Sequence, residues 1–351
     1  MTDGTAQRST IDETGIEEVA SGIFRLNMPL PFRGLKQVNL WLLYSADGWT
    51  MIDCGFGSSE SREALENAWK HVLGGKPLTR LLITHFHPDH MGNAGYVARR
   101  WSLRPMITQS EWLAAHVAWH DGFSDDVAAS TGYFSRHGLV ESEIDRYREG
   151  FMRYGDSVDL PEAYHRIRDD EVLTLGTGEW QVITGAGHAP DLATFYCRRD
   201  KLYIAGDQVL PKISPNISVY PHEPDADPIS DYITSLERIR RQVADDVLVL
   251  PSHKEPFFGL HERIDALRLH HSDRLKHLKS AFTPERALSA ADALKHLFPF
   301  DLDGHQVAFA MGEAIAHLNH LCHRGEIAMH EADDRILFAL SPSIPTRSMQ
   351  S

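Results

Sequence analysis

The sequence predicts an α/β fold with a functional site at the edge of its sheets. Segments rich in branched and aromatic residues, such as 39–44, alternate with stretches that fit amphipathic helices, such as 59–73. Several short apolar runs also end directly in an Asp or a His. Because sites in open α/β folds form at the carboxyl ends of strands, these observations predict both the fold class and the place of the site.

Four potential metal ligands lie within a stretch of six residues: His85, His87, Asp89 and His90. The apolar run 81–83 precedes them as a short buried strand, and a helical pattern follows. His85 and His87 are two residues apart and can point the same way from an extended backbone. Asp89 and His90 turn away as the helix begins, so the spacing predicts two metal ions side by side.

Other strand ends carry further candidate residues. His188 follows a predicted strand and lies beside glycines, which allow its ring to approach a metal closely. Asp207 and His253 each end a later apolar run. Asp53 ends an early strand and can orient a histidine ligand through a hydrogen bond, or touch the edge of the metal site.

Composition excludes several other classes of protein. The 351 residues include 49 acidic and 35 basic ones, and the formal net charge of −14 argues against a nucleic-acid partner. No apolar stretch approaches the ~20 residues needed to span a bilayer, and the N-terminus has no secretory pattern. Three widely spaced cysteines predict no disulfide framework. We therefore expect a cytoplasmic protein with a small-molecule substrate, and leave a homo-oligomer open.

The pattern of elements divides the chain into three parts, the second of which contains an insert. Residues 1–15 read as a loose tail, and 16–260 as the catalytic domain. The aromatic-rich helical insert 110–165 is interpreted as a lid or pocket wall, with a packed helical excursion as the alternative. Residues 261–345 read as helices followed by a β-hairpin, a winged-helix-like domain in which Thr283 is expected to cap a helix. The acidic charge disfavours DNA binding by this domain.

The long proline-rich loop after Asp207 supplies the candidate substrate contacts. Lys212, Tyr220 and His222 all lie in this loop. They are predicted only because the loop begins next to a predicted metal ligand.

The segment 84–90 resembles the signature turn of the metallo-β-lactamase superfamily. Asp53, His188, Asp207 and His253 match the other motifs of the superfamily in order. The resemblance covers residues 18–260 and implies a four-layer αββα sandwich with a dinuclear site. It also implies the ligands: His85, His87 and His188 for one metal, Asp89, His90 and His253 for the other, with Asp207 as the bridge. The two aspartates and the C-terminal helices resemble the glyoxalase II-like branch.

These ligands imply a hydrolase in which a metal-bridged hydroxide attacks a thioester or a related activated ester. Asp89, which can accept a proton, and Asp53 are the predicted catalytic residues. Two divalent metal ions are expected, zinc first, with iron or manganese also compatible with nitrogen and oxygen ligands. A lactone or phosphodiester hydrolase and a non-catalytic metal sensor are the alternatives. Segment 188–191 differs from the glyoxalase II pattern, and the sequence has no recognisable set of glutathione-binding residues. The thiol part of the thioester substrate is therefore not specified.

Overall fold

The computed structural model describes residues 15–32, 34–120, 127–150, 152–298 and 302–341. The predicted tail therefore lies outside the described residues except for residue 15. The described residues form two compact units. The first contains 15–120, Met152–Pro215 and Tyr232–Ala266, and the second contains 127–150, Asn216–Asp231 and 267–341. The predicted insert is thus divided between the two units.

The strands in chain order are β1 Ile16–Ala20, β2 Ile23–Pro29, β3 Gln37–Ser45, β4 Gly48–Ile52, β5 Leu78–Leu82, β6 Met106–Ile107, β7 His165–Arg166, β8 Val172–Leu175, β9 Gly178–Gly185, β10 Leu192–Cys197, β11 Leu202–Gly206, β12 Leu248–Pro251, β13 Ile327–Ala332 and β14 Arg335–Leu340. The helices are α1 Ser59–Val72, α2 Pro88–Met91, α3 Ala94–Trp101, α4 Gln109–His120, α5 Val127–Arg136, α6 Glu141–Gly150, α7 Tyr154–Ser157, α8 Pro228–Gln242, α9 Leu260–Ser280, α10 Ala290–Leu297 and α11 Gly304–His323.

Two sheets form the centre of the first unit. One contains β1 to β7 in chain order, and the other has the order β12-β11-β10-β9-β8. Strands β4 to β7 pair in parallel, as do β11 and β12, whereas the other neighbouring strands are antiparallel. The parallel pairs bring the carboxyl ends of β4 and β5, and of β11 and β12, to the same edge of their sheets.

Strand β3 shows how the sequence forms the layers. Val38, Leu40 and Leu42 pack in a buried cluster with residues of α1, α3 and α4. Trp41 and Leu43 point to the opposite face, into a cluster shared with β9 to β12. This alternation places one core beneath the helices and another between the sheets.

Helix α8 covers the far side of the second sheet. The hydroxyl of Ser235 accepts a hydrogen bond from the backbone N–H of Ala186, at 2.8 Å, and the buried Tyr232 donates to the carbonyl of Gln208, at 3.1 Å. The layers therefore follow the order helices, sheet, sheet, helix. The predicted four-layer αββα sandwich is confirmed.

The second unit contains α5, α6, α10, α11 and the β13–β14 hairpin. The predicted hairpin is confirmed, and its turn residues Asp333 and Asp334 have φ values of 50° and 59°, as a type I′ turn requires.

The helix start predicted at Thr283 is wrong. Both backbone groups of Leu288 pair with Phe338 at 2.8 Å, which keeps the chain extended there. Helix α10 begins only afterwards, with Ser289 and Asp292 forming a capping box. Among the described residues, no helix combines the length and apolar character needed to cross a bilayer.

Candidate metal centre

Seven predicted ligand side chains come together at the edge of the two sheets in the first unit. Their ligand atoms form three overlapping groups in which all atoms lie within 4.8 Å of one another. The groups are His85, His87 and His188; His85, His90 and Asp207; and Asp89, His90 and His253. The structure therefore brings together side chains from four separate strand ends.

The three-histidine group contains two short contacts between ring nitrogen atoms. Nε2 of His85 lies 3.0 Å from Nδ1 of His87 and 3.3 Å from Nε2 of His188. His85 and His87 come from the turn after β5, whereas His188 follows β9. The ligand atoms of the three rings lie within 4.8 Å of one another.

The second group contains a carboxylate and two imidazoles. Oδ2 of Asp89 lies 3.5 Å from Nε2 of His90 and 3.4 Å from Nε2 of His253. Asp89 and His90 belong to α2, which starts at Pro88, and His253 lies two residues beyond β12.

Asp207 lies between the two groups. Its Oδ2 atom is 3.4 Å from Nε2 of His188 and 3.4 Å from Nε2 of His253, and its Oδ1 atom is 3.6 Å from Nε2 of His90. One carboxylate therefore faces both the three-histidine group and the second group. A carboxylate in this position can be shared by cations bound to the two groups.

Asp53 and Thr84 fix the orientation of two histidines. The carboxylate of Asp53 accepts hydrogen bonds from the backbone N–H of Thr84 at 2.7 Å, from the Thr84 hydroxyl at 2.8 Å, and from Nδ1 of His90 at 2.8 Å. The Thr84 oxygen then accepts from Nδ1 of His85 at 2.9 Å. With Nδ1 of each ring donating, Nε2 of His85 and of His90 presents its lone pair to the centre.

His253 is oriented in the same way by the backbone. Its Nδ1 atom donates to the carbonyl of Gln37 at 3.0 Å, which leaves Nε2 facing Asp89 and Asp207. Gln37 begins β3, and the neighbouring Asn39 side chain donates to the carbonyls of Pro251 and Lys254. The two sheets are thus tied together beside the ligands.

The donor set fits bound metal ions. A tetrahedral ion with bonds of about 2.0–2.1 Å places its ligand atoms about 3.3–3.4 Å apart. The ligand contacts given above range from 3.0 Å to 3.6 Å. Nε2 of His90 and Oδ1 of Asp207 are buried without a hydrogen-bond partner among the described residues, so these polar atoms are free to bind a cation.

Two of the ligand side chains, His87 and Asp207, are already in the protonation state that binds metal. Burial, reinforced by the neighbouring His188, lowers the pKa of His87 to about 3. Burial alone would raise the pKa of Asp207, but the positive charges of His253 and His90 lower it well below its usual range. Neutral imidazole and ionised carboxylate are the forms that bind metal.

Sequence reasoning missed two residues that hold the ligand loops. Glu111 of α4 is buried, and burial raises the pKa of its carboxyl to about 8. Tyr154 of α7 is also buried. Neither residue belongs to a motif, and only the path of the folded chain brings them to the centre.

The predicted substrate contacts lie outside these groups. Lys212 is exposed and belongs to the first unit. Tyr220 and His222 belong to the second unit, where their rings stack with centroids 5.7 Å apart. A role for the three in substrate binding stays a prediction.

A cavity of about 460 Å³ in the first unit also lies apart from the ligands. Arg62, Trp119 and Asp159 contribute to its wall, whereas none of the seven ligands lines it.

Comparison with known proteins agrees with this geometry. Residues 33–253 match the family described as the metallo-beta-lactamase superfamily, and residues 275–340 match the metallo-beta-lactamase-like C-terminal domain. A beta-lactamase domain protein from Burkholderia ambifaria is 38% identical, with a TM-score of 0.86 over 94% of this chain and 96% of that one. A metallo-beta-lactamase family protein from Thermus thermophilus is 27% identical, with a TM-score of 0.78 over 92% of this chain and 100% of that one.

Two curated proteins are more distant relatives. A linear primary-alkylsulfatase from Pseudomonas sp. is 21% identical over 73% of this chain, and the match spans only 50% of that protein. A protein named probable metallo-hydrolase YqgX, from Bacillus subtilis, is 26% identical over 50% of this chain and 67% of its own length. The chain thus belongs to the metallo-beta-lactamase superfamily.

Proposed function

We propose that the chain is a dinuclear enzyme that hydrolyses a thioester or a related activated ester. The observation that carries this proposal is the position of Asp207, whose two oxygens face both ligand groups. A shared carboxylate provides sites for two cations side by side. The resemblance of the ligand set and of the C-terminal helices to the glyoxalase II-like branch favours a thioester.

Two bound divalent cations would polarise the substrate carbonyl and lower the pKa of water, so that a hydroxide nucleophile exists at neutral pH. The residues of the chain provide the fixed geometry for this chemistry. Asp53 and Thr84 hold the rings of His85 and His90, so that little reorganisation is needed during the reaction.

Asp89 is the residue to which we assign proton transfer. Its contacts with His90 and His253 both use Oδ2. We assign Oδ1 as the atom that accepts a proton during turnover. Asp53 lies one step further from the reacting atoms, because its carboxylate is occupied by Thr84 and His90. It therefore acts by orienting ligands.

The test is hydrolysis of a substrate panel by the chain reconstituted with Zn²⁺, Fe²⁺ or Mn²⁺. The panel contains acyl-CoA and acyl-glutathione thioesters, aryl esters, lactones and phosphodiesters. We expect turnover of thioesters above all others. His87→Ala and Asp207→Ala should lose activity and should bind less metal than the wild type. His71→Ala, an exposed histidine on α1, is the matched control and should retain both.

Metal binding without turnover of any substrate would contradict the hydrolase and favour a metal sensor. Activity that survives in metal-free Asp207→Ala would contradict the assignment of the centre. Preference for a lactone or a phosphodiester would keep the centre but replace the thioester.

Hydrolysis of an alkyl sulfate ester is a second candidate. It is favoured by the match to the linear primary-alkylsulfatase, which covers 73% of this chain. Because the chain corresponds to about half of that protein, the activity cannot be transferred from the match alone. Release of sulfate from dodecyl sulfate, measured beside the thioester panel, discriminates between the two candidates.

A further inference from the structure

Two buried side chains of the helical insert hold the peptide that lies between two metal ligands. Phe86 separates His85 from His87, and its backbone N–H donates to Oε2 of Glu111 at 2.9 Å. Its carbonyl accepts a hydrogen bond of 2.5 Å from the hydroxyl of Tyr154. Both polar groups of this turn residue are therefore bonded to side chains of α4 and α7.

The same carboxyl group holds a second ligand loop. Oε1 of Glu111 accepts a hydrogen bond of 2.7 Å from the backbone N–H of Asp191, three residues after His188. The Thr108 hydroxyl, just before α4, donates to the carbonyl of Asp191 at 2.9 Å. Glu111 thus joins the turn of His85 and His87 to the loop of His188.

These contacts hold the loops of one ligand group, and they do not involve the loops of the other group. His85, His87 and His188 make up the three-histidine group, and their two loops are the ones that Glu111 connects. The hydrogen bonds that hold His253 and His90 come instead from Gln37 and Asp53. A change at Glu111 should therefore alter the spacing of the three histidines selectively.

We propose that Glu111 and Tyr154 are positioning residues that set the metal affinity of the three-histidine group. The proposal rests on the metal centre described under the proposed function. It goes beyond that function by giving α4 and α7 of the insert a defined role, which is to fix the separation of two ligand loops. Loss of a hydrogen bond that orients a metal ligand typically lowers metal affinity by about 10- to 100-fold.

The variant Glu111→Gln tests the proposal with little change in volume. A Gln side chain has one oxygen acceptor and one NH₂ donor, so one of the two loop N–H groups loses its acceptor. Metal-stripped full-length protein is titrated with Co²⁺ in competition with a chelator, which gives two binding steps. One step should weaken by about 10- to 100-fold, while the other stays within about threefold of wild type.

Two further variants assign the affected step. His188→Ala removes a ligand of the three-histidine group and leaves the step of the second group. In that background, Glu111→Gln should leave the remaining step unchanged. Tyr154→Phe removes only the bond to the Phe86 carbonyl and should weaken the same step as Glu111→Gln, by less.

Matched controls report on the chemical changes alone. Glu66→Gln and Tyr96→Phe change two groups that bond to each other at 2.8 Å, away from the ligand loops. Glu66 also accepts a hydrogen bond from Arg100, at 2.9 Å. Both controls should bind Co²⁺ as the wild type does. A weakened step in either control would overturn the proposal, because the effect would then be unspecific.

Other results also overturn it. Glu111→Gln that weakens both steps equally, or neither, would reduce the residue to a structural role. If Glu111→Gln does not fold, Tyr154→Phe decides, and unchanged affinities in that variant would contradict the proposal. If the wild type binds no Co²⁺, the metal centre itself is contradicted. If the wild type binds two ions and the variants bind them with the same affinities, only the positioning role of Glu111 and Tyr154 is contradicted.

Discussion

Asp53 has a left-handed backbone conformation, and its side chain orients two histidine rings through hydrogen bonds. Its φ is 61°, in the left-handed region that Asn and Asp tolerate better than most residues. Its carboxylate orients His90 directly and His85 through Thr84. The variant Asp53→Asn keeps the shape and the backbone preference but replaces one acceptor oxygen by an NH₂ donor.

We expect Asp53→Asn to lower metal affinity by about 10- to 100-fold, because the rings lose their fixed orientation. Competition with a chelator measures this directly. Asp47→Asn is the control, since Asp47 is a turn aspartate whose carboxylate accepts a hydrogen bond from the Ser45 hydroxyl. Equal affinities in wild type and Asp53→Asn would refute the orienting role.

The charge of His253 predicts that metal binding depends on pH. Burial would lower the pKa of His253, but the carboxylates of Asp207 and Asp89 raise it to about 10 in the metal-free protein. At pH 7 the ring is therefore protonated and must lose its proton to bind metal. Affinity should rise with pH up to that pKa, by about tenfold per pH unit for each proton released.

Calorimetric titration in two buffers with different ionisation enthalpies measures this proton release. An observed enthalpy that depends on the buffer is the expected result. Enthalpies that agree in both buffers at pH 7 would mean that His253 is already neutral.

At the scale of elements, close approach of backbone at Gly92 positions the helix that carries Asp89 and His90. A Cβ at Gly92 would lie 2.3 Å from the nitrogen of Gly57 and 2.5 Å from the oxygen of Gly55. Because these are backbone atoms, the loop or the helix must move to accommodate it.

Gly92→Ala should therefore lower the free energy of unfolding by about 1–3 kcal/mol and weaken metal binding. Gly132, on the exposed side of α5, is the control, because a Cβ there meets no atom within 4 Å. Gly132→Ala should raise stability by about 0.5–1 kcal/mol. Urea unfolding of both variants tests the pair, and a neutral Gly92→Ala would show that the close approach is not required.

How much the sequence could predict also depends on the element. The seven candidate ligands were predictable because each follows an apolar strand, and strand ends meet at one edge of a sheet. The start of α10 could not be predicted, because Leu288 pairs with Phe338, which is 50 residues further along the chain. The role of Glu111 could not be predicted for the same reason, since its partners Phe86 and Asp191 become its neighbours only in the folded chain.

At the scale of the whole molecule, metal binding should stabilise the fold. The ligands follow β5, β9, β11 and β12, which belong to both sheets of the first unit. Without cations, a buried cluster of imidazoles and carboxylates loses its common partner. A ligand that binds only the folded state stabilises it by RT ln(1 + [L]/Kd), which is about 2.7 kcal/mol at one hundred times Kd.

Chelation should therefore lower the unfolding temperature, and added Zn²⁺ should restore it. The same treatment should have a smaller effect on His87→Ala, which has lost a ligand of one of the two groups. Differential scanning calorimetry measures both. A wild-type transition that does not respond to chelator, after complete removal of metal, would contradict a folded-state metal site.

Anomalous diffraction from crystals of the zinc-reconstituted protein tests the central claim most directly. We predict two peaks about 3.5–4 Å apart, one among His85, His87 and His188 and the other among Asp89, His90 and His253, with Asp207 between them. A single peak, or peaks away from these residues, would contradict a dinuclear centre formed by the converging strand ends.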